Sequence, residues 1–200
     1  MSRLNKLWTI VGAKGTGKTT FLNNTDPKLP PGLIQKWIES RKGRPDERVL
    51  IIDTVDHPSY RNFQIIEPEH IAHWKKGVKR IIVNQSKFDK LFRIMQTELI
   101  NCMVVCEDST KYIRNNQKIN DDLNNFMTDI KQKNIDLLFT YHSIGMANLD
   151  IVRMTDILVL FKSPDPPAGA KFGQLATVRS AYQQVMAVDN PYEKKIIIIN

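Results

Sequence analysis

Cysteine is nearly absent: the 200-residue chain holds two, Cys102 and Cys106. On one strand they would sit about 13 Å apart at roughly 3.3 Å per residue, too far to bond to each other. A disulfide scaffold is excluded, and reduced, buried thiols are expected. Long apolar runs are also missing. None approaches the length that crosses a bilayer, and Met1-Ser2-Arg3-Leu4-Asn5-Lys6 lacks the apolar core of a secretion signal. The expectation is a protein without a transmembrane segment, intracellular or part of a particle assembled inside cells. Acidic residues are outnumbered, 21 against 29 Lys and Arg, for a net charge of +8. That balance favours polyanion partners such as nucleic acid, although no long Lys/Arg block is present. Histidine is scarce at four. His70 and His73 have metal-like spacing but no third ligand nearby, so they read as helix-surface residues. No internal repeat or second domain is visible, and the length suits one domain over residues 1–200.

What the chain does hold is Gly12-Ala13-Lys14-Gly15-Thr16-Gly17-Lys18-Thr19. The apolar, β-branched run at 7–11 before it predicts a buried strand, and Thr20-Phe21-Leu22 after it can open a helix. This is the G-x-x-x-x-G-K-[ST] loop in its required strand–loop–helix context. Glycines let the backbone curl so that successive N–H groups face phosphate oxygens. Lys18 can reach the β- and γ-phosphates, and the Thr19 hydroxyl can ligate Mg²⁺. The motif indicates a nucleoside triphosphate, not its use.

Around the loop, strands and helices alternate. Strands are expected at 49–53, 63–66, 80–83, 103–106, 135–141 and 157–161. Helices are expected around Ile34, Trp37 and Ile38, between Pro68 and Gly77, from a Ser86 cap through Leu99, from Asn120 through Ile130, and at 149–154. Alternation of this kind predicts a parallel sheet covered on both faces. A stiff loop follows at 163–169, then β-like runs at 184–188 and 195–199, read as strands added to a sheet edge. The core spans about 7–162, and 163–200 is a β-rich extension.

A phosphate loop needs a carboxylate at a neighbouring strand end, and hydrolysis needs a base for the attacking water. Asp53 and the pair Glu107-Asp108 both follow apolar runs. Only the pair can divide the two roles, which favours it over Asp53. Strand 135–141 ends in Thr140-Tyr141-His142-Ser143, where His142 is the best-placed group to touch a γ-phosphate, with Tyr141 and Ser143 as alternatives.

This order of parts resembles the FtsK/HerA superfamily of DNA-pumping ATPases. Within it the chain is most similar in size to viral genome-packaging ATPases and to Zot-like proteins of filamentous phages. The resemblance implies an ASCE/RecA-like P-loop NTPase, a three-layer α/β sandwich with a mostly parallel sheet. It implies ATP and Mg²⁺ as ligands, with Gly12, Ala13, Lys14, Gly15, Thr16, Gly17, Lys18, Thr19 and Thr20 at the nucleotide. It puts Thr19 and Glu107 at the metal, Asp108 in the base position and His142 where a sensor Gln or Asn is usual. Arg153 is the candidate arginine donated by a neighbouring subunit, with Arg114 the alternative. The implied protein is an ATP-hydrolysing motor that translocates double-stranded DNA, most simply for viral genome packaging. It would act as a homo-oligomeric ring, hexamer or pentamer, at a portal, capsid vertex or membrane complex, in the host cytoplasm or on the virion. The Pro-rich loop before Lys171 and residues 111–114 are candidate DNA-facing segments. The family order is Asp then Glu, whereas this chain has Glu107 then Asp108, which leaves open which acid is the base. An ATP-dependent phage assembly or secretion factor remains an alternative. So does a small-molecule P-loop kinase, although no Arg-rich lid is visible. A GTPase lacks its switch glycine, and an ABC-type ATPase lacks its Ser-Gly-Gly signature.

Overall fold

The computed structural model describes residues 5–168, 172 and 175–199. Lys171, and Met1 to Leu4 of the amino-terminal stretch, lie outside the described residues. Among the described residues eight strands form one open sheet in the order β3-β4-β2-β5-β6-β1-β7-β8. They are β1 (Leu7–Val11), β2 (Arg48–Asp53), β3 (Gln64–Ile65), β4 (Gly77–Ile82), β5 (Cys102–Cys106), β6 (Ile135–Tyr141), β7 (Ile157–Phe161) and β8 (Lys194–Ile198). The β1–β7, β2–β4, β2–β5 and β3–β4 pairs are parallel, and β7–β8 is antiparallel. Every residue of β2, β5 and β6 is buried, the pattern of strands covered on both faces, whereas both residues of the edge strand β3 are exposed. No helix among the described residues is long and apolar enough to cross a membrane.

The chain gathers into two compact units. One contains Thr19–Glu107 and Ile119–Leu137, and the other contains Leu7–Lys18, Asp108–Lys118 and the residues from Leu138 onward. In the first unit the parallel register sets Ile52 beside Cys106 and Asp53 beside Ile82, so the carboxyl ends of β2, β4 and β5 lie together. There α3 (Gln85–Glu98) packs on α4 (Asp121–Asp129). Phe88, Leu91, Phe92 and Met95 are buried, as are Leu123, Phe126 and Met127, with the Phe92 and Phe126 ring centroids 5.9 Å apart. Each such side chain contributes roughly 1.5–3 kcal/mol on burial. The α3 cap is Asn84, whose side chain accepts from Lys87 N; Ser86 already lies within the helix. The expected helix after Pro68 is a 3₁₀ segment, Pro68–His73, with both histidines exposed.

In the second unit β1 and β7 run parallel, pairing Val11 with Leu160, so both chains emerge at one end of the sheet. The carboxyl-terminal region departs from expectation. Residues 184–188 are not a strand: Ala176–Ala187 form a helix, α6, and β8 is the one added strand there among the described residues. Val178, Ala181 and Val185 are buried at a helical repeat, and this stripe outweighs the local β-branched character of Val185 and Val188.

Cys102 and Cys106 are fully or almost fully buried on β5. Burial pushes the Cys102 thiol up to about 12 and raises Cys106 as well. Each thiol therefore keeps its proton in the folded chain above pH 9, the ordinary thiol value, where the unfolded chain loses it. Unfolding then releases protons, so stability falls as pH rises beyond that point. The thermal midpoint is expected to decline above pH 9, and Cys102→Ala/Cys106→Ala is expected to flatten the decline, as read by circular dichroism melts from pH 8 to 10.

Candidate functional site

In the second unit, the loop after β1 is pinned at its mouth. Gly12 N donates to Tyr141 O at 3.2 Å, and Ala13 N donates to Lys162 O at 2.7 Å. A Cβ on Gly12 would stand 2.5 Å from Phe161 Cβ and 2.8 Å from Thr16 Oγ1, so only glycine fits there. Gly15 and Gly17 adopt φ of +80° and +92°, the left-handed region that glycine enters without steric cost. A Cβ on Gly15 would meet nothing within 4 Å, so a ligand can approach that backbone closely. Thr16 Oγ1 donates to Ala13 O at 2.8 Å. The buried Lys18 Nζ donates to Gly12 O at 2.6 Å and Ala13 O at 3.0 Å. The ammonium is thus held against the loop's own carbonyls. Lys14 is exposed, and with Ala13, His142, Ser143, Met146 and Asp165 it lines a cavity of about 460 Å³.

The same unit holds Asp108 and the tip of β6. Asp108 is left-handed, φ 49° and ψ 51°, a conformation that Asp tolerates better than most residues. Its backbone N donates to Thr140 Oγ1 at 2.7 Å. Its Oδ1 accepts from Thr110 Oγ1 at 2.6 Å and lies 3.1 Å from His142 Nε2. The Nδ1 of His142 is buried without a hydrogen-bond partner among the described residues. Of the three β6-tip alternatives, Tyr141 and Ser143 are buried and Ser143 Oγ accepts from Met146 N, whereas the His142 side chain is 42% exposed. Arg153 stands on α5 (Leu149–Met154), 64% exposed and 3.6 Å from Asp150. Arg114 is also exposed.

In the first unit, Thr19 Oγ1 donates to Glu107 Oε1 at 3.0 Å, and Glu107 is buried. Thr20, on the same short helix α1 (Lys18–Leu22), is exposed. The fully buried Tyr60 borders this pair. Burial, then the charges of Glu107 and Asp53, push its phenol well above the ordinary tyrosine value. Asp53 has other duties. Its oxygens accept from Val55 N at 3.1 Å, His57 N at 2.9 Å and Arg80 Nη1 at 3.2 Å, and Arg80 also holds Asp56 at 2.7 Å. It fastens the loop after β2, while Glu107 takes the partner that follows Lys18.

Three residues escaped the sequence reading: Tyr60, Thr110 and Thr140. Thr140 was within reach, because Thr140 and His142 are two residues apart at the end of one strand and so fall on the same face. Tyr60 carried no comparable signal, since its position depends on the 3₁₀ turn Pro58–Tyr60.

The sequence matches no protein-family model and no curated protein. Solved structures do share the fold. The genome packaging NTPase B204 from Sulfolobus turreted icosahedral virus 2, in complex with ATP-γS, aligns at a TM-score of 0.77 and 13% identity. That alignment covers 100% of this chain and 94% of B204. The fold is that of a P-loop NTPase. EssC (ATPases 2 and 3) from Geobacillus thermodenitrificans aligns at 0.56 with 11% identity, over 100% of this chain and 39% of that one. The N-terminal domain of zonular occludens toxin from Neisseria meningitidis gives 0.49 with 12% identity, over 98% and 94%. For B204 and EssC, at these identities, the likeness is one of fold.

Thr140→Val removes the acceptor of the Asp108 N–H and is expected to lower stability by about 1–3 kcal/mol. Thr140→Ser keeps the oxygen and is expected to restore most of that loss, read as midpoints of urea unfolding.

Proposed function

We propose that this chain is an ATPase that moves double-stranded DNA, acting as a homo-oligomeric ring in viral genome packaging. One observation carries the reading. A complete phosphate loop, with Thr19 on Glu107 at 3.0 Å, occurs in a fold shared over its whole length with a protein described as a genome packaging NTPase.

In this reading the loop from Gly12 to Lys18 holds the phosphates, with Thr20 beside them. Thr19 and Glu107 are hard oxygen donors of the kind Mg²⁺ takes. Among the described residues no cluster of three or more His, Cys, Asp or Glu side chains forms a metal site of its own. The two oxygens would hold a metal that arrives with the triphosphate and keeps phosphate and water ligands. When bound, the metal neutralises phosphate charge.

Asp108 takes the proton of the attacking water as the water oxygen bonds to the γ-phosphorus and the bond to the β-phosphate oxygen breaks. ADP and phosphate leave. His142 is the sensor. Its Nε2 rests on Asp108 Oδ1, so a turn of the ring toward the γ-phosphate releases that oxygen for the water. Arg153, or Arg114, completes the site of a neighbouring subunit. The Arg153–Asp150 pair is exposed and therefore weak, which leaves the guanidinium available for exchange. Where Arg153 serves the neighbouring site, Lys111 and Arg114, a few residues after the acid pair, face DNA phosphates, contacts that carry no sequence information. The ring is a hexamer or pentamer at a portal, capsid vertex or membrane complex, with the two compact units serving as one ATPase domain in the host cytoplasm or on the virion.

The test is ATP turnover with and without long double-stranded DNA, beside Lys18→Ala. Turnover that rises severalfold with DNA and vanishes in Lys18→Ala is expected. Phosphoryl transfer to a small acceptor with no DNA effect would overturn the proposal.

A further inference from the structure

One exposed aromatic ring lies against the phosphate loop and has no part in the chemistry above. Tyr192 is 60% exposed, yet its ring covers Gly17: a Cβ there would stand 2.9 Å from Tyr192 Cδ1 and 3.8 Å from Cε1. The contact is built by the backbone. Lys194 pairs with Phe161 where β8 begins, so the segment before β8 sits at the end of the sheet from which the loop emerges. A turn fixes it, with Glu193 N donating to Asn190 O at 3.2 Å and Tyr192 N donating to Asn190 Oδ1 at 3.0 Å.

The sides of the loop are chemically unlike. The strand order β6-β1-β7-β8 puts Asp108 and His142, at the tip of β6, on one side of the loop and Tyr192 on the other. A triphosphate is a linear array. If its terminal phosphate faces the Asp108–His142 pair, its nucleoside lies toward the opposite end. There the chain presents an exposed flat ring beside Gly17, one residue before Lys18.

We infer that Tyr192 is the platform on which the nucleobase of the bound triphosphate stacks. The inference rests on the triphosphate reading of the loop and adds the group that holds the nucleoside. Every base has a π-face, so a stacking platform recognises bases as a class rather than by hydrogen-bond pattern. The side chain loses only two torsions on ordering.

The experiment is calorimetric binding of two probes, β,γ-methylene-ATP and inorganic tripolyphosphate, each with Mg²⁺, to wild type, Tyr192→Ala, Tyr192→Phe and Lys18→Ala. Tyr192→Ala is expected to weaken the nucleotide about tenfold and leave tripolyphosphate unchanged. Tyr192→Phe is expected to bind both as wild type does, and Lys18→Ala to lose both. Tyr192→Ala matching wild type on the nucleotide, or weakening both probes equally, would overturn the platform while Lys18→Ala still upheld the triphosphate site. Wild type binding neither probe would overturn the triphosphate reading, and the platform with it.

Discussion

At position 12 the chain has no room for a side chain. The Gly12 and Ala13 amides are bonded to carbonyls of residues at the ends of β6 and β7, and the Phe161 Cβ occupies the place a Gly12 side chain would take. That close approach fixes the mouth of the loop to the sheet. The left-handed glycines at 15 and 17 then turn the backbone so that Lys18 Nζ comes back onto the Gly12 and Ala13 carbonyls. A buried ammonium is tolerable only with such partners. The Gly12 and Ala13 carbonyls hold the ammonium in place.

The second constraint is the divergence of Glu107 and Asp108. Both acids follow β5, which ends at Cys106, and Asp108 takes a left-handed conformation there. Glu107 is thereby turned to the Thr19 hydroxyl, and Asp108 to Thr110 and His142. Tyr60 lies buried on the Glu107 side, and burial together with the nearby charges of Glu107 and Asp53 raises its pKa.

The strands, the phosphate loop and the acid pair were legible because each rests on local pattern. Apolar runs such as 135–141 and 157–161 coincide with β6 and β7, and the loop motif carries its own geometry. The partners of the acids were less so. Thr140 could be read from strand periodicity, but Tyr60 and Arg80 reach Glu107 and Asp53 only through turns whose course is set by tertiary packing. The same holds for Tyr192, whose placement depends on antiparallel β8. Residues 184–188 carry a short β-branched pattern, but the Val178–Ala181–Val185 stripe runs through them at helical spacing and places most of them in α6. Asp53 illustrates a further limit. A strand-end carboxylate in the right place for a metal is here the anchor of a loop, and its hydrogen bonds, not its position in the sequence, reveal the difference.

The central claim is the division of labour between two neighbouring acids. It is tested most directly by the Mg²⁺ dependence of β,γ-methylene-ATP binding, measured beside single-turnover ATP hydrolysis in Glu107→Gln and Asp108→Asn. The account predicts that Glu107→Gln needs more Mg²⁺ to bind the analogue. It predicts that Asp108→Asn binds as wild type does but hydrolyses about 10² to 10⁴ times more slowly. A Mg²⁺ requirement that shifts in Asp108→Asn and not in Glu107→Gln, or an Asp108→Asn that hydrolyses at the wild-type rate, would contradict it.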